Sequence, residues 1–182
     1  YLSFTFDFEI LLDDNFYPCI NGINSGKYAY NNMQMLALTL YHKFNEQWHM
    51  ATEGYYMWQR KVPNANNPDA PGTILGANGA QCGPNNPTCR ASVNAMVNYL
   101  VYKFSPRDFI TLRNEFFKDS HGQRTGYKTL FSEHLVGWTH WFGDVITIRP
   151  EFRFDHAYDA KVYDGGRESS QYVLATDLII HF

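Results

Sequence analysis

Apolar and polar side chains alternate along eight segments of the chain, and this pattern limits the possible folds more than any other feature. A period of two places successive side chains on opposite faces of a β-strand. Each segment has about the 9–11 residues, or slightly more, that a tilted strand needs to cross a bilayer. No segment shows a convincing helical period, so the pattern predicts an all-β protein. The segments are roughly residues 1–12, 32–44, 47–60, 92–104, 108–118, 129–141, 145–158 and 170–182.

The connections between these segments alternate strictly between short and long. "NEQ", "SPRD" and "FGD" are tight turns, and the long connections are residues 13–31, 61–91, 119–128 and 159–169. Outer-membrane β-barrels keep short turns on the periplasmic side and long loops outside, whereas soluble sandwiches mix loop lengths. The pattern therefore predicts eight antiparallel transmembrane strands in one domain, residues 1–182, with every tight turn in the periplasm.

The chain starts inside an alternating segment, "YLSFTFDFEI". We therefore expect an N-terminal part to be missing and the eight strands to belong to a larger barrel of about 16 strands. The alternative is a complete eight-stranded barrel in which segments 1–12 and 170–182 pair.

Charged residues within the strands predict which face lines the interior of the barrel. In "VITIRPEFRFDHAY", Arg149, Glu151, Arg153 and Asp155 alternate with apolar residues. An Arg facing lipid at the midplane costs about 2–4 kcal/mol, so this row should face the lumen. The predicted pore-lining residues are Asp7, Glu9, Lys43, Glu53, Lys103, Arg113, Glu115, Glu133, Arg149, Glu151, Arg153, Asp155 and Asp177.

Two residues conflict with this pattern. Asn114 falls on the apolar row of its strand. Pro150 cannot donate a ladder hydrogen bond and is unusual inside a closed sheet, so we expect a bulge or a missing ladder bond there.

Two other interpretations of the charged row stay open: a solvated face of a soluble sheet, or a packed ion network that plugs a barrel. If the row lines a pore, eight of its members are acidic and five basic. Carboxylate rings favour cations, so we expect a mild cation preference.

Composition excludes some classes of protein. The net charge of −3 leaves no basic surface of the kind that binds nucleic acid. The mean hydropathy is −0.40. No apolar run approaches the roughly 20 residues that a membrane-spanning helix needs.

Cys82 and Cys89 enclose "CGPNNPTC" in the longest connection and predict a disulfide, as an oxidising exterior allows. They could alternatively ligate a metal, but no further ligand lies nearby in sequence. Cys19 falls in another predicted external loop, with no partner evident. Because "CxxCH" is absent, no c-type haem is expected, and we expect no cofactor and no metal.

Catalysis is not expected. Ser132, His134 and Asp155 could form a triad only if neighbouring strands brought them together, and no nucleophile motif surrounds Ser132. The segment "DSHGQRTG" has the composition of a polar surface turn.

The chain ends on an alternating apolar row, Leu178, Ile180 and Phe182. An aromatic residue at the end of a barrel strand suits the interfacial girdle. This row resembles the C-terminal signal that the bacterial barrel-assembly machinery reads, which makes that machinery an expected partner.

Four segments, "TEGYYMWQRKVPN", "LRNEFFKDSHGQRTG", "TIRPEFRFDHAYDA" and "YDGGRESSQYVLATDLIIHF", resemble the C-terminal half of the OmpL-like β-barrel porins (the porin-2 group) of Gram-negative bacteria. The matching positions are Arg113, Glu115, Phe116, Phe117, Asp119, Gly122, Arg124, Thr125 and Gly126 in one block, and Arg149, Pro150, Glu151, Arg153 and Asp155 in another.

This resemblance implies a larger barrel in the bacterial outer membrane, in contact with its lipid. From it we expect a non-enzymatic channel for passive diffusion of small hydrophilic solutes or ions. The alternative is a structural or interaction barrel with a plugged lumen, which acts through its external loops or sheathes a partner protein such as an electron carrier. Whether the chain forms a homo-oligomer stays open.

Overall fold

The computed structural model describes residues 2–10 as backbone and residues 33–67 and 79–182 in full. The predicted loop 13–31, with Cys19, lies outside the described residues. Eight strands form one sheet: β1 (Leu2–Ile10), β2 (Gln34–Lys43), β3 (Trp48–Pro63), β4 (Thr88–Lys103), β5 (Asp108–Asp119), β6 (Leu130–Phe142), β7 (Ile146–Ala157) and β8 (Ser170–Ile180).

Each strand pairs antiparallel with its neighbour in sequence, in the order β1 to β8. The predicted all-β, antiparallel architecture is confirmed. In the described part of the chain β1 pairs only with β2, and β8 only with β7. Between the described strands Leu2–Ile10 and Ser170–Ile180, the pairing that a closed eight-stranded ring requires is therefore not formed. The expectation of a larger barrel stays a prediction.

Strands β3 and β4 extend beyond their predicted ends, to Pro63 and back to Thr88. A register shift between Gln59 and Val62, with Lys61 at φ 51°, breaks the alternation that the sequence analysis followed. Pairing then resumes at Val62 with Cys89. The predicted loop 61–91 is thus shortened to residues 64–87, of which 68–78 lie outside the described residues.

The predicted disulfide joins Cys82 to Cys89, with 5.7 Å between the Cα atoms. It packs against Val62, Ala80 and Ala91, which are fully buried. This small cluster lies at the end of the β3–β4 hairpin and anchors the described residues of the long loop next to the disulfide.

Side chains and glycine shape the tight turns. Asn45 Oδ1 accepts hydrogen bonds from the backbone N–H groups of Gln47 and Trp48, at 2.8 and 2.9 Å. Ser105 Oγ accepts one from the N–H of Arg107 at 3.1 Å. Gly143, at φ 63°, supplies the left-handed residue of the third turn.

Pro150 interrupts the ladder as predicted, without a bulge. The β6–β7 register passes from Gly137–Glu151 to His140–Ile148 with no shift, but the intervening pairs are not formed. On its other side Pro150 still opposes Thr176. The missing bonds follow from the missing N–H of proline.

The sheet exposes one apolar face. Tyr172, Leu174 and Leu178 of β8 are 72%, 83% and 65% exposed, and Leu38, Met96 and Phe152 are exposed on the other strands. The part of the chain that the structure describes contains no helix long and apolar enough to span a membrane. A sheet in water would have to cover so large an apolar face.

Replacing Cys82 and Cys89 together by Ser should loosen the ordered loop. In the chain-entropy model, a loop this short loses about 2 kcal/mol of stabilisation when its cross-link is removed. We expect faster hydrogen exchange of residues 79–91, measured by mass spectrometry, with the strands β5–β8 unchanged. Cys19→Ser is the matched control and should leave this exchange as in the wild type. Equal protection in the double variant would show that packing alone orders the loop.

Candidate functional site

The face opposite the apolar one carries the charged side chains. Tracing the register from β5 outward in both directions puts eleven predicted residues on one face, and Asp7 and Glu9 at matching backbone positions of β1. Lys103 and Glu133, whose strands alternate weakly in sequence, belong to it as well. This face, which also carries uncharged side chains, is called the charged face below.

Four carboxylates of the charged face lie in one row across the strands. Glu53 opposes Val97, which opposes Glu115, and Glu115 opposes Glu133, which opposes Asp155. Like charges directly opposite one another are destabilising. The row therefore depends on cations nearby.

Arg113 and Arg153 supply these cations from the next row of the sheet. Arg113 pairs with Glu133 and lies 3.7 Å from Glu115, while Arg153 lies 3.6 Å from Glu133 and 3.1 Å from Asp155. Glu133 thus sits between two guanidinium groups. These two arginines and three carboxylates form one partly buried ion network across β5, β6 and β7.

Nearer the tight turns the charged side chains form separate ion pairs instead of a network. Arg149 pairs with Asp177 at 2.7 Å, and Lys43 with Glu46 at 2.7 Å. A cavity of about 280 Å³ opens between these two levels, lined by Arg113, Arg149 and Glu151 among others.

The connection between β5 and β6, residues 120–129, is organised by one carboxylate. Asp119 is fully buried, and its oxygens accept backbone N–H bonds from Gln123, Arg124 and Thr125 at 3.1, 2.8 and 2.9 Å. Thr125 Oγ1 donates a further bond at 3.1 Å. Gly122 and Gly126, at φ 66° and 84°, allow the chain to wrap around the carboxylate.

This connection folds over the charged face. The guanidinium of Arg124 lies 3.0 Å from Gln59 Oε1, 3.5 Å from Met33 Sδ and 3.7 Å from Met57 Sδ. Gln59 and Met57 belong to β3, two strands away from the ends of the loop, and lie on the charged face. Gln123 also donates to Gln59, at 2.7 Å. The loop therefore reaches across the ends of β4 and β3.

A second connection, residues 158–169, also turns inward. Backbone N–H groups of Gly166 and Arg167 bond the carbonyl of Tyr163, each at 3.0 Å, in a tight turn. Tyr163 lines a cavity of about 390 Å³ together with Glu115, Thr125 and Asp155. Burial, reinforced by the negative charge of Asp155, raises the pKa of the Tyr163 hydroxyl. Both loops thus narrow the long-loop end of the charged face.

Sequence reasoning missed the roles of Asp119, Arg124 and Tyr163. The segment "DSHGQRTG" looked like a plain surface turn, but it is held by a buried carboxylate and reaches across β4 to β3. An acidic residue followed within seven positions by two glycines and a threonine is the signal that was available, since such a carboxylate accepts the N–H groups of a tight loop.

The suggested triad is not formed. His134 lies on the apolar face, where its Nδ1 bonds Asn114 Oδ1 at 2.8 Å, while Asp155 lies on the charged face and accepts a bond from Gln171 at 2.7 Å. Within residues 33–67 and 79–182, no three His, Cys, Asp or Glu side chains are grouped as a metal site. The absence of enzymatic activity, cofactor and metal stays a prediction.

Leu178, Ile180 and Phe182, the predicted assembly signal, are all exposed on the apolar side of the last strand and its end. Their recognition by the assembly machinery stays a prediction.

Replacing Asp119 by Asn should release the β5–β6 loop. The amide nitrogen cannot accept the N–H bonds that one carboxylate oxygen now accepts, and hydrogen bonds to charged groups contribute about 1.5–3 kcal/mol each. We expect trypsin to cleave after Arg124 at least about tenfold faster in D119N. D159N is the control, because Asp159 is exposed and its ion pair with Lys118, at 3.6 Å, is outside this loop. Equal cleavage rates of D119N and wild type would contradict the assigned role.

The same loop should loosen in acid through His121. Burial, and secondarily the charge of Lys128, lowers the pKa of His121 in the folded loop, against a smaller opposite effect of Asp119. The opened loop therefore binds more protons, so its closed form is most stable above the ordinary histidine pKa of about 6.5 and weakens as pH falls below it. Hydrogen exchange of residues 120–129, corrected for intrinsic rates, should show this loss, and H121Q should reduce it. An identical pH profile in H121Q would assign the effect to another group.

The comparisons with known proteins agree with this architecture. No curated protein matches the chain. The model of one protein family, described as "Putative beta-barrel porin-2, OmpL-like", matches residues 4–182. The match covers all eight strands, the charged face and both inward loops. The chain therefore belongs to the OmpL-like porin-2 family of β-barrel porins.

Proposed function

We propose that the chain forms part of an outer-membrane channel for passive diffusion of small hydrophilic solutes or ions. The observation that carries this proposal is the division of one sheet into two faces, one that carries the charged side chains and one that is apolar and exposed. Lipid would contact the apolar face, and water the charged face. The role needs no enzymatic activity or cofactor.

In this proposal the tight turns lie in the periplasm and the long loops outside. Solutes would enter past Arg124 and Tyr163, which overhang the charged face. Beyond them they would pass the carboxylate row and then the Arg149–Asp177 level. The barrel-assembly machinery would insert the chain by reading its last strand.

The expected ion preference remains weakly cationic. Eight carboxylates of the charged face oppose five cations, and Arg124, which the sequence analysis did not include, adds a sixth. Much of the Arg113 and Arg153 charge is compensated locally by the ion network, so the unpaired carboxylate charge dominates the field. Salt should weaken the preference as the Debye length shrinks.

The structure also supports a second candidate, a barrel with a plugged lumen that acts through its loops or encloses a partner protein. The observation that favours it is the ion network of Arg113, Glu133, Arg153 and Asp155, which is partly buried beneath two inward loops. A packed network of this kind could fill a narrow barrel instead of lining a wide one.

Single-channel recording in planar bilayers separates the two candidates. The folded, purified protein should give stable conductance steps if the lumen is open. A protein that inserts but gives no steps would favour the plugged barrel.

Charge neutralisation tests which residues line the path. Under a KCl gradient, E115Q/E151Q should move the reversal potential toward anions, whereas R124Q should move it toward cations. A unit charge about 7 Å from the ion path contributes about 0.6 kcal/mol in water, a factor of two to three in permeability ratio. R167Q is the matched control, because Arg167 is exposed on the second loop and pairs there with Asp164. An unchanged reversal potential in E115Q/E151Q would place the charged face outside the conducting path.

A further inference from the structure

Four polar side chains cross the apolar face of the sheet in one row. Thr52, Asn98, Asn114 and His134 are successive partners in the register of β3, β4, β5 and β6, and we call them the outward polar row. Each lies on the face that also carries Met96, Leu112 and Val136, all exposed. Asn114, which conflicted with the alternation in sequence, is thus one member of a continuous feature.

The row makes two internal hydrogen bonds. Asn98 Nδ2 donates to Thr52 Oγ1 at 2.6 Å, and His134 Nδ1 donates to Asn114 Oδ1 at 2.8 Å. Within residues 33–67 and 79–182, Asn98 Oδ1, Asn114 Nδ2 and His134 Nε2 have no partner. The row therefore presents both acceptors and donors outward.

The depth of the row makes these free groups costly. Along β3, Thr52 lies four residues from Trp48 and four from Tyr56, both on the same face and both in stacked aromatic pairs, with Tyr102 and with Trp58. Four residues of strand span about 13 Å. If the aromatic pairs mark the two interfaces, the row lies near the middle of the bilayer, where hydrocarbon offers no hydrogen bonds.

Next to the row, Gly54 leaves a gap between two large exposed side chains, Leu38 and Met96. Gly54 opposes Met96 in the register, and a Cβ atom added to Gly54 would meet only the carbonyl of Ala95, at 3.8 Å. Small residues beside polar ones allow close approach of a second membrane-embedded element. The site thus has both the shape and the hydrogen-bonding groups of a contact surface.

We propose that the outward polar row is the contact surface for a second copy of this chain. Copies inserted by the same route share one orientation, so an axis that relates them runs along the membrane normal. Residues at the same depth in the two copies therefore come into contact. A row that carries donors and acceptors at one depth is complementary to itself. A different partner would need its own matching polar groups at this depth.

The proposal is tested with the full-length protein folded into lipid vesicles, with oligomeric state measured by cross-linking and by sedimentation in a mild detergent. The wild type should associate, and N98L/N114L should dissociate about tenfold more readily, since polar contacts between membrane segments contribute fractions of a kcal/mol to about 2 kcal/mol each. L174A is the control, because Leu174 is exposed on the same face of the distant strand β8 and lies outside the predicted assembly signal. It should associate as the wild type does.

A second measurement does not depend on the folding of the double variant. In a Cys19→Ser background, Asn98→Cys should cross-link to its counterpart with a short bis-maleimide, and Leu174→Cys should not. T52V, which keeps the side-chain shape, should weaken association in the same direction as N98L/N114L. The proposal is overturned if the wild type stays monomeric at every protein-to-lipid ratio, as it would with lipid or a foreign protein on the row. Association of N98L/N114L at wild-type strength, or equal cross-linking at both cysteine positions, would overturn it as well.

Discussion

The structure depends on one constraint: backbone hydrogen bonds must be satisfied between strands while each strand separates charged from apolar side chains. Continuous antiparallel pairing from β1 to β8 meets the first requirement. The register, which is unshifted from β4 to β8, meets the second, because a slip of one residue would move Arg113, Glu115 or Arg153 to the apolar face. Even Pro150, which removes ladder bonds, leaves the β6–β7 register unshifted.

The register decides which residues share the charged face, but electrostatics decides how the charges on that face are arranged. Placing Glu53, Glu115, Glu133 and Asp155 in one row would be unfavourable alone, and Arg113 and Arg153 in the next row compensate it. The same arrangement can line a water-filled path or fill a narrow one. Which of the two applies depends on the distance across the lumen, and hence on how many strands enclose it.

The loops add a second level of organisation. Asp119 accepts hydrogen bonds from N–H groups of the β5–β6 loop that would otherwise bond water, and so holds Arg124 over the charged face. The disulfide and its small apolar cluster fix the neighbouring loop, and Gln81 connects the two by donating to the carbonyl of Gly126 at 2.9 Å. Rigid loops of this kind can set a constant opening, whereas unattached ones could not.

The sequence by itself determined the eight strands, the two faces, the disulfide and the interruption at Pro150, because each depends on local period, spacing or the chemistry of one residue. The tertiary structure alone decided the bulge after Gln59, the inward path of Arg124 and the meeting of Asn114 with His134. These depend on contacts between residues 20 to 65 positions apart. Only the register of the sheet brings such residues together, and no local sequence pattern encodes it.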